Sequence, residues 1–391
     1  MRIVLTGGGT GGHIMPFEPI IEALRSRFID EKQTLPLFVD PQELSLYYMG
    51  VSDKSTRDFF SAYDVPAIHV PSGKLRRYFS LKTISDLCVK FPFGFLLALF
   101  HLWKIMPDVV ISKGGYGSLP VALAATWYRI PILLHESDVV PGLANSFLMR
   151  YAKIIALGFP DAKNHLPNSK WLYKTSVTGT PIRAELDRVS IPEAKSFFAL
   201  DSSLPTLLVV GGSQGARQLN ELILGVLSRI ILDMNVIHVT GEANFTPVTT
   251  VAEEILAQSS RKEHYKAYPY LTDKMSTAIR ASDGVLTRAG ASMLAELVHA
   301  RIPMLIIPLD SAAGDHQRYN ARAVESAGAG LVLDPKNTGV HLVEQNIRSI
   351  MLDEKVRESI KTHMNIIDFP NAGRDIASLA LKLAKGLAPS K

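Results

Sequence analysis

Two arrangements of apolar residues alternate along this chain. Short apolar runs stop at glycine or aspartate, and longer stretches repeat apolar positions every three or four residues, the signatures of buried strands and amphipathic helices. The first run, Arg2-Ile3-Val4-Leu5-Thr6, ends at Gly7-Gly8-Gly9-Thr10-Gly11-Gly12-His13, and Pro16 opens a helix. Strands are predicted next at 35–39, 67–70, 107–112, 131–134, 153–157 and 174–177, with a helix over 120–128 and another after Pro141-Gly142. The pattern then restarts. Pro205-Thr206-Leu207-Leu208-Val209-Val210 meets Gly211-Gly212-Ser213-Gln214-Gly215-Ala216 and a helix over 217–231, followed by strands at 235–239, 264–268, 284–287, 303–307 and 330–333. Helices fall between these strands, including 292–300 and 317–327, and 354–391 reads as helical. Strands alternating with helices predict parallel sheets covered on both faces, an α/β class. The repeated opening predicts two Rossmann-like domains facing a deep cleft, 1–180 and 181–365, joined at Gly179-Thr180-Pro181-Ile182-Arg183. The segment 366–391 is expected to return to the first domain.

The length of 391 residues agrees with two domains. One cysteine, Cys88, leaves no intramolecular disulfide, and the chain enters its first strand without the charged and apolar regions of a signal peptide. These features predict a cytoplasmic protein. The net charge of +5 is modest, but residues 72–90 alone carry +4 through Lys74, Arg76, Arg77, Lys82 and Lys90 against Asp86. The apolar run 91–100 follows, too short for the roughly 20 residues that span a bilayer, and reads mostly as a buried helix. Leu75, Tyr78 and Phe79, interleaved with the basic residues, give the preceding segment the make-up of an anionic-membrane docking site.

In open α/β sheets, ligands collect beyond the carboxyl ends of strands. This chain places there His13, Gly114-Gly115-Tyr116, His135-Glu136-Ser137-Asp138, Ser213-Gln214, Arg288-Ala289-Gly290 and the stretch 310–317. Each glycine turn can aim backbone N–H groups and a positive helix end at an anion. A dinucleotide reading of the first turn, with Asp40 as the ribose acid, leaves the second turn, His13 and the 288–320 region unused. His13 stands at a helix start, where the positive end disfavours imidazolium. A neutral ring there can take a proton from a hydroxyl. Glu296, six residues beyond Gly290, is suited to gripping a diol.

Together, Gly7 to His13, Ser72-Gly73-Lys74-Leu75-Arg76-Arg77-Tyr78, Lys113-Gly114-Gly115-Tyr116, His135 to Asp138 with Pro141-Gly142-Leu143-Ala144-Asn145, Gly211 to Ala216, and Arg288 to Ala291 with Glu296 resemble the MurG glycosyltransferases. The resemblance runs in order from residue 1 to about 335. It implies a GT-B fold and inverting transfer of N-acetylglucosamine (GlcNAc) from UDP-GlcNAc to the C4 hydroxyl of N-acetylmuramic acid (MurNAc). The acceptor is lipid I, undecaprenyl-pyrophosphoryl-MurNAc-pentapeptide, met at the cytoplasmic face of the cell membrane by a peripheral enzyme. In the donor site it implies Ser213 and Gln214 at the diphosphate with Arg183 as a cationic contact, and uracil at backbone near Leu271. Ala291, Ser292, Met293, Leu294, Ala295 and Glu296 would surround the ribose, Gln317 would meet the sugar hydroxyls, and Thr10, Gly11 and Gly12 would approach from the opposite wall. His13 would be the general base, with Asp138 as a second candidate base or orienting carboxylate. Gly114, Gly115 and Tyr116 would hold acceptor diphosphate, and Leu75, Arg76 and Arg77 the lipid side. No cofactor, metal or nucleic acid is expected. Ser137-Asp138 where relatives often carry Gln-Asn, Thr180 for a frequent Asn, and His316 for a Gln depart from the family pattern. Three other activities remain open: glycosyl transfer to diacylglycerol, 2-epimerisation of UDP-GlcNAc, and non-catalytic nucleotide-sugar binding.

Overall fold

The computed structural model describes residues 1–8, 14–33, 43–73, 89–212, 216–271, 274–310 and 315–387. The chain divides into two compact units, one of residues 1–182 with 370–391, the other of residues 183–369.

Unit one is a seven-stranded parallel sheet in the order β3-β2-β1-β4-β5-β6-β7. Its strands are β1 Arg2–Thr6, β2 Ser45–Gly50, β3 Ala67–His69, β4 Val109–Ser112, β5 Ile132–Glu136, β6 Ile154–Leu157 and β7 Thr175–Val177. Alternate side chains of each strand feed opposite cores. Ile3, Leu5, Val109, Ile111 and Leu133 face one core, built with α1 (Phe17–Gln33) and the last helix. Val4, Val110, Ile132, Leu134 and Ile155 face the other, built with α3 (Phe91–Ile105), α4 (Leu119–Trp127) and α5 (Leu143–Leu148). Between β2 and β3 runs α2 (Lys54–Ala62), whose Phe60 ring stacks on Tyr48 at 4.1 Å. The Tyr48 hydroxyl donates to the Gly7 carbonyl at 2.8 Å and anchors the exit of β1.

One expectation falls outside the described residues and one needs correction. The predicted strand at 35–39 lies outside the described residues, as do Asp40 and Cys88, and the strand beside β1 is Ser45–Gly50. The run 91–100 is not mostly core. Helix α3 buries Gly94, Ala98, Leu102 and Ile105, while Phe93 (60%), Leu96 (63%), Phe100 (54%) and Trp103 (62%) stand in solvent along its other face. No helix among the described residues is long and apolar enough to cross a membrane.

Unit two is a six-stranded parallel sheet in the order β10-β9-β8-β11-β12-β13. Its strands are β8 Thr206–Val210, β9 Asn235–Val239, β10 Tyr265–Tyr268, β11 Gly284–Thr287, β12 Met304–Ile306 and β13 Leu331–Val332. The helices in chain order are α6 (Glu185–Arg188), α7 (Ile191–Phe197), α8 (Arg217–Ile230), α9 (Phe245–Leu256), α10 (Met275–Ala281), α11 (Ala291–His299), α12 (His316–Ser326), α13 (Val340–Leu352) and α14 (Glu354–Met364). The chain then returns to unit one, where α15 (Ala372–Ala384) sets Ile376, Ala377, Ala380, Leu381 and Leu383 into the core that holds α1.

Candidate active site

Strand order reverses direction beside β1 in unit one and beside β8 in unit two, and ligands of such sheets lie at these switch points. In unit one the switch falls between β1 and β4. Thr6 pairs in register with Ser112, so the Gly7-Gly8 exit and the Lys113-Gly114-Gly115 exit lie side by side. In unit two it falls between β8 and β11, where Val210 pairs with Thr287 and brings Gly211-Gly212 beside Arg288-Ala289-Gly290.

The unit-one exits rest on a buried polar cluster. Lys113 is 1% exposed, and its ammonium donates to His135 Nδ1 at 2.5 Å and to Ser137 Oγ at 2.7 Å. The other ring nitrogen of His135 donates to the Gly179 carbonyl at 2.9 Å. That pairing fixes a neutral tautomer with both nitrogens engaged, and burial followed by the adjacent Lys113 charge holds the ring well below its usual pKa. Burial lowers Lys113 to about 7, against the pull of Glu136 and Asp138. Glu136 accepts from the backbone N–H groups of Asp138 at 2.9 Å and Gly142 at 3.1 Å, and from the Asn145 amide at 2.8 Å. Burial, then the charge of Asp138, raises Glu136 to about 7. This carboxyl therefore shapes the loop that carries half-buried Asp138.

Gly114, at φ +76°, has no room for a Cβ, which would fall 1.8 Å from Asn145 Oδ1. The turn is thereby pressed onto the start of α5. Lys113 spends its ammonium inward on His135 and Ser137, so an anion at this turn would meet the backbone of Gly114 and Gly115 and the side chain of Tyr116. The Tyr116 carbonyl accepts from the Ser72 hydroxyl at 2.6 Å, which ties the turn to the chain two residues before the basic segment begins.

In unit two, Gly211 lets the first turn of α8 close on the strand end, since a Cβ would fall 2.2 Å from that of Ala216. Arg288 is 5% exposed and braces the neighbouring exits. It donates to the Ile307 carbonyl at 2.8 Å, the Pro308 carbonyl at 2.9 Å and Gln218 Oε1 at 3.1 Å, and its burial lowers its pKa. Asn320 on α12 donates to the Ala289 carbonyl at 3.1 Å. On α11, Ala291, Leu294 and Glu296 are buried, and Ser292, Met293 and Ala295 are half-buried. Arg183 forks onto Glu296, with Nε to Oε1 and Nη2 to Oε2 both at 2.7 Å. Leu271 is buried beyond β10, and Gln317 accepts from the Leu309 N–H at 3.0 Å in the first turn of α12.

Thus Arg183, Leu271, Ala291 to Glu296 and Gln317 belong to unit two, and Gly114, Gly115, Tyr116 and Asp138 to unit one. Thr10, Gly11, Gly12, His13, Leu75, Arg76, Arg77, Ser213 and Gln214 lie outside the described residues. The sequence reading gave no role to Lys113's inward contacts, to Glu136 or to Arg288. Their signal was position alone, a charged residue at the exit of an apolar strand. Among the described residues no three His, Cys, Asp or Glu side chains are grouped to hold a metal ion.

Two family descriptions match the chain, the glycosyltransferase family 28 N-terminal domain over residues 3–157 and its C-terminal domain over residues 206–376. A UDP-N-acetylglucosamine--N-acetylmuramyl-(pentapeptide) pyrophosphoryl-undecaprenol N-acetylglucosamine transferase of Natranaerobius thermophilus is 32% identical over 385 residues, covering 97% of this chain and 99% of the relative. An identically named protein of Geobacillus thermodenitrificans is 34% identical over 339 residues, 85% of each chain. The crystal structure of Acinetobacter baumannii MurG superposes with a TM-score of 0.71 at 22% identity, covering 97% of this chain and 99% of that one, which establishes the shared GT-B fold. The chain belongs to glycosyltransferase family 28, within its MurG group.

Proposed function

We infer that this protein transfers GlcNAc from UDP-GlcNAc to the C4 hydroxyl of MurNAc in lipid I. The observation that carries this reading is identity of 32% to a transferase of that name along 97% of the chain. The switch point of each unit supports it, with a glycine exit beside Arg288 to Gly290 in unit two and paired glycine exits of β1 and β4 in unit one.

In this reading the 211–216 turn and the positive end of α8 hold the UDP diphosphate. Glu296 accepts the ribose hydroxyls inside the wall made by Ala291 to Ala295, backbone near Leu271 meets uracil, and Gln317 meets the donor sugar. The acceptor pyrophosphate takes the Gly114-Gly115-Tyr116 turn. The C4 oxygen attacks the anomeric carbon and forms the new glycosidic bond as the bond from that carbon to the UDP oxygen breaks. The bonding pair leaves with UDP, whose charge the turn and helix end stabilise. The hydroxyl proton passes to His13, with Asp138 as orienting carboxylate. The configuration at the anomeric carbon inverts. Docking on an anionic membrane surface through the exposed stripe of α3 and the basic segment with Leu75, Arg76 and Arg77 brings the enzyme to its lipid acceptor at the cytoplasmic face.

The deciding experiment is product analysis with UDP-GlcNAc and a short-chain lipid I analogue. We expect one disaccharide-lipid and one UDP per turnover. Transfer to diacylglycerol alone, or conversion of the donor with no acceptor present, would replace this reading with a glycolipid synthase or an epimerase. His13→Ala should keep donor affinity and lose ~10²–10⁴-fold in kcat, the usual worth of a positioned base.

A further inference from the structure

We infer that Ser137 donates its hydroxyl proton to a pyrophosphate oxygen of the acceptor, and that Lys113 is the positioning residue that makes it a donor. The inference rests on the acceptor role proposed above for the Gly114-Gly115-Tyr116 turn, and it adds to that turn a side chain from the neighbouring strand exit.

Proton counting sets the direction of each bond. His135 Nε2 faces the Gly179 carbonyl at 2.9 Å, an oxygen that can only accept, so in the neutral ring Nδ1 is a bare lone pair. Lys113 fills that lone pair at 2.5 Å and reaches Ser137 Oγ at 2.7 Å. An ammonium has donors and no lone pair, so Ser137 Oγ accepts from it. The one hydroxyl proton of Ser137 is then directed out of the cluster. Among the described residues Lys113 is the only hydrogen-bond partner of that hydroxyl. The backbone beneath it has little freedom. The next N–H, that of Asp138, donates to Glu136 Oε1 at 2.9 Å, and a Cβ on Gly158 would fall 2.6 Å from the Ser137 carbonyl oxygen. Strands β4 and β5 pair in register at Ser112 and Leu134, so the loop carrying Ser137 leaves the sheet beside the Gly114-Gly115 turn. Ser137 is half-buried over a fully buried lysine, which sets its hydroxyl between a cation and the space beyond the strand ends, where ligands of such sheets lie. A hydroxyl that accepts from a cation is polarised into a stronger donor, and a phosphate oxygen is the matching acceptor. An anion seated there also favours the charged form of Lys113, whose two hydrogen-bond partners are both neutral. Glu136 and Asp138 favour that form in the same way.

The test is steady-state kinetics of the full chain, varying a short-chain lipid I analogue at saturating UDP-GlcNAc and then the reverse. A pyrophosphate contact lies away from the reacting C4 oxygen, so its loss removes binding shared by ground and transition states and raises KM while kcat is kept. Ser137→Ala should raise the acceptor KM about tenfold or more, the worth of a hydrogen bond to a charged group. Its kcat should stay within about threefold of wild type and its UDP-GlcNAc KM within about twofold. Ser137→Thr keeps a hydroxyl and should hold the acceptor KM within about threefold of wild type. Lys113→Met should raise that KM as Ser137→Ala does, and the double variant should lose nothing further, since the two residues act as one unit. With an analogue whose pyrophosphate is replaced by an uncharged linker, Ser137→Ala should change KM by less than about twofold. An unchanged acceptor KM in Ser137→Ala overturns the inference. So does a penalty that persists on the uncharged analogue, which would put the hydroxyl on the sugar or the peptide. A Lys113→Met penalty that adds in full to that of Ser137→Ala overturns the positioning role, and Lys113→Gln, polar but uncharged, gives the same comparison if Lys113→Met does not fold. Absence of transfer by the wild type to any lipid I analogue overturns the proposed function itself.

Discussion

Glu136 and Lys113 carry opposite electrostatic burdens in one buried spot. Burial raises the carboxyl from 4.5 to about 7 and lowers the ammonium from 10.5 to about 7. Between about 4.5 and about 7 the folded chain keeps a proton on Glu136 that the unfolded chain has released. Stability from this group is therefore full at low pH and is lost as pH rises through that window. For Lys113 the unfolded chain binds the extra proton, so stability falls as pH drops from about 10.5 to about 7. Glu136→Gln removes only the first dependence. Calorimetric melts from pH 5 to 7.5 should show a fixed offset from the lost acceptor, while the variant gains on the wild type as pH rises. Parallel curves would mean that Glu136 titrates normally. None of this was legible in the sequence, where Lys113 stood in a glycine-rich turn and Glu136 in a polar quartet. Burial sets these pKa values, and burial comes from β4, β5 and α5 converging, which is not local information.

At the scale of elements, legibility followed periodicity. The strands that end in glycine or aspartate were readable because each is a short apolar run with an abrupt polar stop, and the parallel α/β class followed from their alternation with helices. Ser45-Leu46-Tyr47-Tyr48-Met49-Gly50 lacks that contrast, since two tyrosines straddle the polar and apolar classes, and the sequence reading passed over it. The run 91–100 failed differently. A helix apolar on all sides carries no direction, so its sequence cannot say which face is core. Packing decides: small Gly94 and Ala98, with Leu102 and Ile105, form the side that reaches the interior, and the larger Phe93, Leu96, Phe100 and Trp103 turn outward. Substituting all four outward residues by serine should cost about 0.5 kcal/mol or less apiece in stability, as exposed changes do. The same variant should lose at least about 100-fold in binding to anionic vesicles, because each large side chain contributes about 1.5–3 kcal/mol when buried. Arg76→Glu with Arg77→Glu should also weaken binding, but only at low salt, where each basic residue is worth about 1 kcal/mol. Co-sedimentation at two salt concentrations separates the two effects, and undiminished binding of the serine variant would remove α3 from the docking surface.

For the whole molecule, the consequential feature is that unit one is discontinuous in sequence. The chain leaves it at Ile182 and returns at Pro370, so its core is completed only by the last residues. Helix α15 buries Ile376, Leu381 and Leu383 in one cluster with Phe17, Ile20, Ile21 and Leu24 of α1, together with Ala377 and Ala380. Three large aliphatic side chains buried at about 1.5–3 kcal/mol each are worth about 5–9 kcal/mol. That equals much of the 5–15 kcal/mol that a typical domain possesses. Removing α15 also bares the apolar side of α1 to water, so the loss falls on the core of unit one. Unit two ends earlier in the chain, at Phe369, with α13 and α14 as its last helices. A chain ended at Phe369 should therefore melt with the unit-two transition near its wild-type temperature and the unit-one transition missing or strongly lowered. It should still bind UDP, since the donor groups proposed here belong to unit two, while transfer to the lipid acceptor should disappear. A single unfolding transition that moves as a whole would show instead that the two units stand or fall together.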